Sequence, residues 1–228
     1  MARYAVIGLG RFGTMLARAL AERGQEVIAI DHRRDLVEGL REEVSVAVRL
    51  DATDEKALTA QGADKVDVAI VSIGEDFEAA ALATSVLKGL NVPKVIARAQ
   101  TPIRAKILSL IGADEIVSPE DESAVRLAQR LAAPNIIDYL PLAPGHSVVQ
   151  VQAPKKFHGK SIAEIDLRRK YEVNLVAIKR SLVRRTSEGK EVTQEEVSDV
   201  PRPTDIIQEG DVLIIVGSDE SVSKLPTD

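Results

Sequence analysis

Tyr4-Ala5-Val6-Ile7-Gly8-Leu9-Gly10-Arg11-Phe12-Gly13 decides how the first half of this chain folds. Tyr4–Ile7 is a short run of strand formers closed by a glycine. Beyond the loop the apolar positions take a helical period, with Phe12, Met15, Leu16, Ala19 and Leu20 on one face. The three glycines between have separate uses. Gly8 permits a tight turn, Gly10 lets the backbone approach a phosphate, and Gly13 lets helix and strand pack closely. The first helical turn then offers free N–H groups and a partial positive charge to phosphate oxygens. G-x-G-x-x-G alone is a weak signal; the strand before it and the helix after it give it weight.

Working outward, Gly24 is a helix stop and Val27–Ile30 a second buried strand. Asp31 ends that strand, 23 residues after Gly8, where a carboxylate accepts hydrogen bonds from ribose hydroxyls. It repels a 2′-phosphate and so favours NAD or a simple adenosine nucleotide over NADP. Arg33 and Arg34 argue mildly the other way, although a solvated helix start accounts for them. His32 lies at the same ribose end. Apolar runs at 46–50, 68–72, 95–97 and 115–117 alternate with helical stretches centred on 36–40, 57–60, 79–90, 103–111 and 124–131, with Gly112 closing one of them. Six strands in βα alternation predict an α/β fold, a Rossmann-type doubly wound parallel sheet. Ligands in such sheets bind at the C-terminal strand ends. That adds Asp51, Ala52 and Thr53, then Ser72, Ile73 and Gly74, then Arg98 to the candidate nucleotide-binding residues Gly8, Gly10, Arg11, Phe12, Gly13, Asp31 and His32. Arg11 can reach a terminal phosphate as a charged donor.

Pro134, Pro141, Pro144 and Gly145 cluster, so the expected division is a nucleotide-binding domain over 1–133, a linker over 134–145 and a small α+β C-terminal domain over 146–228. The latter reads as a strand at 147–151, a short helix at 161–170, strands at 174–179 and 182–186, a hairpin tip with its turn at Glu188-Gly189 and loop through 203, a strand at 211–217 and a last helix capped by Ser218. About 80 residues make a small core that calls for a partner chain.

The composition excludes several functions. A net charge of −5 and no basic clustering give no reason to expect nucleic acid. Without cysteine there is no disulfide, thiolate nucleophile or thiolate metal site. No apolar run approaches the roughly 18 residues that cross a bilayer, and Met1-Ala2-Arg3-Tyr4 enters the first strand at once, so a cytoplasmic chain without a signal peptide is expected. His32, His146 and His158 have no metal-ligand spacing, no Gly-x-Ser-x-Gly elbow occurs, and the glycine loop lacks the Gly-Lys-Ser/Thr of a P-loop. A nucleotide site with no catalytic set points to a sensor rather than an enzyme.

The same residues resemble the RCK family, cytosolic regulators of potassium conductance and uptake, with the Ktr/Trk-type subunits of bacterial potassium transporters the nearest kind. Besides 5–13, the similar stretches are Asp51-Ala52-Thr53-Asp54, Ile111-Gly112-Ala113-Asp114, Ser118-Pro119-Glu120, Gly159-Lys160-Ser161-Ile162, Leu175–Ile178 and Glu209–Gly217. One copy of each domain is present, as in Ktr-type subunits, and the polar segment 187–203 departs by looking expanded. The resemblance implies dimers assembling into an octameric ring on the inner face of the cell membrane, against an integral-membrane potassium-translocating subunit. It implies ATP and ADP, with NAD(H) as a further ligand, competing for the first domain and favouring different ring shapes. It implies that Arg11 contacts the γ-phosphate, that Glu120 binds a divalent cation (Mg or Ca) beside ATP, and that Arg168 and Asn174 contact cyclic di-AMP in the second domain. Two other readings stay open on the residues alone: an NAD-dependent oxidoreductase, and an adenine-nucleotide sensor acting on a different partner.

Overall fold

The computed structural model describes residues 1–132, 135–185 and 191–226. They divide into two compact units, Met1–Glu122 and Ser123–Asp228.

In the first unit, β1 (Arg3–Ile7), β2 (Glu26–Asp31), β3 (Val46–Arg49), β4 (Val68–Val71), β5 (Lys94–Arg98) and β6 (Glu115–Val117) form one sheet in the order β3-β2-β1-β4-β5-β6. All pairs are parallel. Helices α1 (Arg11–Glu22), α2 (Arg34–Glu38), α3 (Glu55–Ala60), α4 (Phe77–Gly89) and α5 (Pro102–Ile111) connect successive strands. α6 (Pro119–Ala132) follows the last and runs on past Glu122, beyond which the second unit begins. This is the expected doubly wound sheet, and its order reverses between β1 and β4.

The strands are apolar on both faces because both faces are covered. Ala5, Ile7, Ile28, Ile30, Ala69 and Val71 join one buried cluster; Val6, Val27, Ala29 and Ile70 join another with Leu9, Ala17 and Leu40. Burying each large aliphatic side chain contributes about 1.5–3 kcal/mol relative to leaving it in water. The helix ends follow local chemistry. Asp54, Asp76 and Thr101 accept from Ala57, Ala79 and Arg104 N–H to start α3, α4 and α5. Gly112, at φ +115°, stops α5 in the left-handed region.

The second unit holds β7 (Ile136–Ala143), β8 (His146–Gln152), β9 (Asn174–Arg185), β10 (Glu191–Ser198) and β11 (Val212–Ser218), ordered β10-β9-β11-β8-β7 and antiparallel throughout. Its core gathers Val149, Val151, Phe157, Ile178, Ile207, Leu213 and Ile215. Short helices α7 (Ile162–Ile165), α8 (Leu167–Lys170) and α9 (Asp219–Ser223) complete it, and Ser218 caps α9 as expected. Just before the central strand β11, Asp211, fully buried, receives both Nε and Nη2 of Arg180 at 2.7 Å and the Gln208 N–H at 2.8 Å.

Four expectations are corrected. Most of the stretch read as a linker, 136–143, is the edge strand β7; an edge tolerates Pro141, whose missing N–H withdraws no bond from a sheet interior. The single helix over 161–170 is two, parted at Asp166 with φ 52° and ψ 55°, a left-handed conformation that Asp adopts more readily than most residues. The strands at 174–179 and 182–186 are one continuous β9, and part of the expected loop is β10, because pairing along 178–185 satisfies that polar backbone. The turn at Glu188-Gly189 lies outside the described residues.

Candidate functional site

The glycine loop lies where the sheet reverses, between β1 and α1. Strand-like bonds carry it past the end of β1: Gly8 N–H donates to Ile30 at 2.8 Å, and Ser72 N–H donates to Ile7 at 2.7 Å. Gly8 takes φ +91°, and a Cβ there would stand 2.9 Å from the Ile73 nitrogen. Gly13 is more constrained: its Cβ would lie 1.9 Å from the Gly8 carbonyl oxygen and 2.4 Å from Ser72 Oγ. Gly10 is different. Its φ of −63° suits any residue, and nothing lies within 4 Å of the Cβ it lacks. Neither conformation nor packing within the chain asks for glycine there. What it provides is open approach to the N–H groups that begin α1.

Asp31, 8% exposed, braces this loop. Its Oδ2 accepts the Leu9 N–H at 2.6 Å and its Oδ1 the Arg33 N–H at 2.8 Å. Each carboxylate oxygen keeps acceptor capacity, so the brace is compatible with a ribose hydroxyl. His32 is exposed with Nδ1 3.4 Å from Asp31 Oδ1, and its carbonyl accepts from Arg49 Nε at 2.9 Å. Arg33 and Arg34 pair with Asp35 and Glu38 of α2 itself.

The other strand ends differ in what they offer. Asp51 Oδ1 accepts both the N–H (2.9 Å) and hydroxyl (2.8 Å) of Thr53, and these bonds, the backbone one first, hold its carboxyl below the usual range. Ala52 faces the core. Ser72, a candidate ligand contact, is buried and donates its hydroxyl to the Gly8 carbonyl, beneath the loop rather than on its open side. Ile73 is half-buried against Gly8.

Gly74, Phe12, Arg98 and Glu120 meet on the β5–β6 side. The Arg98 guanidinium lies 6.0 Å from the Phe12 ring centre, packs over Gly74, and donates from Nη2 to Glu120 Oε1. Glu120 opens α6, and its carboxyl is held low chiefly by its own backbone N–H, with Arg98 a smaller contributor. Beside it is a cavity of about 220 Å³ lined by Ala99, Gln100, Ser118, Glu120 and Asp121. Glu120 offers a hard oxygen donor of the kind divalent cations take. However, no group of three or more His, Asp or Glu gathers among the described residues, so a cation there would draw most of its ligands from phosphate and water.

Arg11, first residue of α1, is exposed and has no hydrogen-bond or ion-pair partner among the described residues. Sequence reasoning missed Arg104. It donates from Nη1 to the Gly74 carbonyl at 3.1 Å and to Gln100 Oε1 at 2.9 Å, with its guanidinium 5.2 Å from the Phe77 ring centre. Its place at the site depends on the Gly74 carbonyl of the β4–α4 loop, 30 residues away in the chain, which nothing local in the sequence marks. In the second unit Arg168 on α8 and Asn174 at the start of β9 are exposed and unpaired among the described residues.

Residues 4–119 match the TrkA-N domain and 147–225 the TrkA-C domain. The chain is 41% identical over 221 residues to Ktr system potassium uptake protein C of Bacillus subtilis (strain 168), covering 97% of this chain and 94% of the relative. It is 34% identical over 222 residues to Ktr system potassium uptake protein A of the same organism, at the same coverage. Among solved structures it is similar in fold to the GsuK channel bound to NAD (TM-score 0.60, 16% identity), over 100% of this chain and 40% of that one. No helix among the described residues is long and apolar enough to cross a membrane. With both domains in order and these relatives along nearly its whole length, the chain belongs to the Ktr/Trk-type potassium uptake proteins of the RCK family.

Proposed function

We propose that the chain is the cytosolic, non-enzymatic regulatory subunit of a potassium uptake system, and that its first domain senses adenine nucleotides. The observation that carries this is Gly10, a glycine the chain's own structure does not need, at the open mouth of a helix whose loop is otherwise tightly braced. ATP or ADP lays its phosphates against the start of α1 and its ribose toward Asp31 and His32, with Asp51 and Thr53 at the same end. Arg11 meets the terminal phosphate, and Glu120 with those phosphates holds a divalent cation. NAD(H) is a further ligand; the GsuK channel, similar in fold, is described as bound to it.

The partner is an integral-membrane potassium-translocating subunit, and dimers of this chain assemble into an octameric ring against it on the inner face of the membrane. Support comes from apolar side chains left in water on α5 and α6, among them Ile103, Leu110, Val125 and Leu131. Nucleotide identity shifts the ring between shapes only as far as its affinities for the two differ. In the second domain, Arg168 and Asn174 form the contact for cyclic di-AMP. No nucleic acid is involved.

The test is a thermal-shift titration with ATP, ADP, NADH and cyclic di-AMP, with particle mass read by light scattering. A ring-sized particle stabilised by about 2.7 kcal/mol at a hundredfold excess of ligand over its Kd is expected. A monomer indifferent to every adenine nucleotide overturns the reading. Co-purification with a membrane potassium transporter checks the partner.

A further inference from the structure

β5 ends on Arg98, and the glycine loop's own architecture does not call for an arginine there. The side chain nonetheless reaches across to the loop. It lies over Phe12 in the first turn of α1, and Gly74 leaves it room: a Cβ on Gly74 would stand 2.9 Å from Nη1. The side chain is 14% exposed, and Nε is buried with no hydrogen-bond partner among the described residues. A guanidinium carries five donors in a planar fork suited to two acceptor oxygens at once. Here one oxygen, Glu120 Oε1, takes one of them. Glu120 itself is 59% exposed and fixed by no other side chain among the described residues. A deeply placed cation with spare donors therefore faces a helix start that attracts anions, and is held by a carboxylate that is free to leave.

We propose that Glu120 is an internal stand-in for a phosphate: it occupies Arg98 in the ligand-free chain, and an incoming polyphosphate displaces it and takes the guanidinium. This rests on the nucleotide-binding reading and adds which contact breaks when the cleft fills. Two oxyanions compete for one fork, so a phosphate chain that reaches Arg98 breaks the pair. A single phosphate seated against the start of α1 leaves it intact. Arg98 thereby becomes a determinant of phosphate-chain length, and Glu120 a brake on it.

The experiment uses the full chain in metal-free buffer with EDTA, so that no cation bridges Glu120 to phosphate. Calorimetric titrations with AMP and ATP compare the wild type with Glu120→Gln, Arg98→Gln, Arg98→Lys and the double variant Arg98→Gln/Glu120→Gln. Glu120→Gln is expected to bind ATP about fivefold tighter. Arg98→Gln should bind ATP about tenfold more weakly while AMP stays within about twofold. Arg98→Lys, which keeps the charge without the fork, falls between, and in the double variant the gain from Glu120→Gln disappears. If Glu120→Gln binds ATP no better than wild type, or Arg98→Gln loses AMP and ATP alike, the exchange is wrong even though the nucleotide site stands. If the wild type binds no adenine nucleotide, the functional reading fails and takes this proposal with it. Circular dichroism of each ligand-free variant confirms that it is folded.

Discussion

Gly10 and Gly13, three residues apart at the start of α1, answer to different constraints. Gly13 is held by the fold: a methyl there runs into the Gly8 carbonyl and the Ser72 hydroxyl, and backbone cannot give way cheaply. Gly13→Ala is expected to cost about 1–3 kcal/mol or more in a chemical denaturation curve. Gly10→Ala meets nothing, so its melting temperature should match the wild type while its affinity for ATP drops by tenfold or more, read by titration. If Gly10→Ala binds as the wild type does, the open mouth of α1 is not where phosphate sits. The sequence made the glycines legible because their spacing is local. It also singled out Asp31 at the end of the second strand, where it is expected to accept from a ribose. That the same carboxylate holds the Leu9 N–H, and that Ser72 points its hydroxyl inward at Gly8, depends on which strand lies beside which. Asp31→Asn keeps one acceptor oxygen but turns an NH2 donor toward the other N–H, so it loses one of the two bonds and should cost about 1 kcal/mol. Asp31→Ala leaves the Leu9 and Arg33 N–H groups without their acceptor and costs about 1–3 kcal/mol by the same measurement.

Helices and strands were read well where burial is two-sided. All six strands of the parallel sheet fall within two residues of their expected bounds; the inner strands β1, β2 and β4 are unbroken apolar runs because both their faces are covered. The second unit was harder to read. β7 and β10 are edge strands: β7 is apolar but interrupted by a proline that reads as a connector, and β10 is polar, so both are recognised mainly through their partners. Asp114 shows how such partners hold elements together. It accepts the Val95 N–H at 2.6 Å and both contacts of the Lys88 ammonium, tying the segment before β6 to β5 and α4. These bonds, the backbone one first, hold its carboxyl below the ordinary value of 3.8. A depressed folded value means the contribution is complete above the ordinary carboxylate range and is lost as pH falls through the depressed value. Asp114→Asn should therefore flatten the acid limb of a stability-against-pH curve, while leaving the neutral-pH limb parallel to the wild type's.

At the scale of the chain, each buried cluster among the described residues lies within one unit, which predicts two melting events. They can be moved separately. Arg180→Ala strands the fully buried Asp211 without its cation and should lower the second unit's transition by an amount corresponding to about 3–5 kcal/mol. ATP should raise the first unit's transition alone. Calorimetric scans of the two samples check both; a single transition that shifts as one under each treatment contradicts the division. The presence of two domains was legible from the change of pattern near Pro134, but the place of the join was not, since prolines that read as a connector also suit an edge strand.

The cradle beneath the nucleotide loop is stitched before any visitor arrives: Gly8 to Ile30, Leu9 to Asp31, Ser72 to Ile7 and to Gly8, and the Thr14 hydroxyl to Leu9 at 2.8 Å. A receptor this stiff has no disorder to surrender, so occupancy cannot be announced by the loop freezing into shape. News of it has to leave by the loosely tethered side chains around the rim. Mutations that change the response to nucleotide without unfolding the domain should therefore cluster there, on Arg11, His32 and Glu120, and not in the floor.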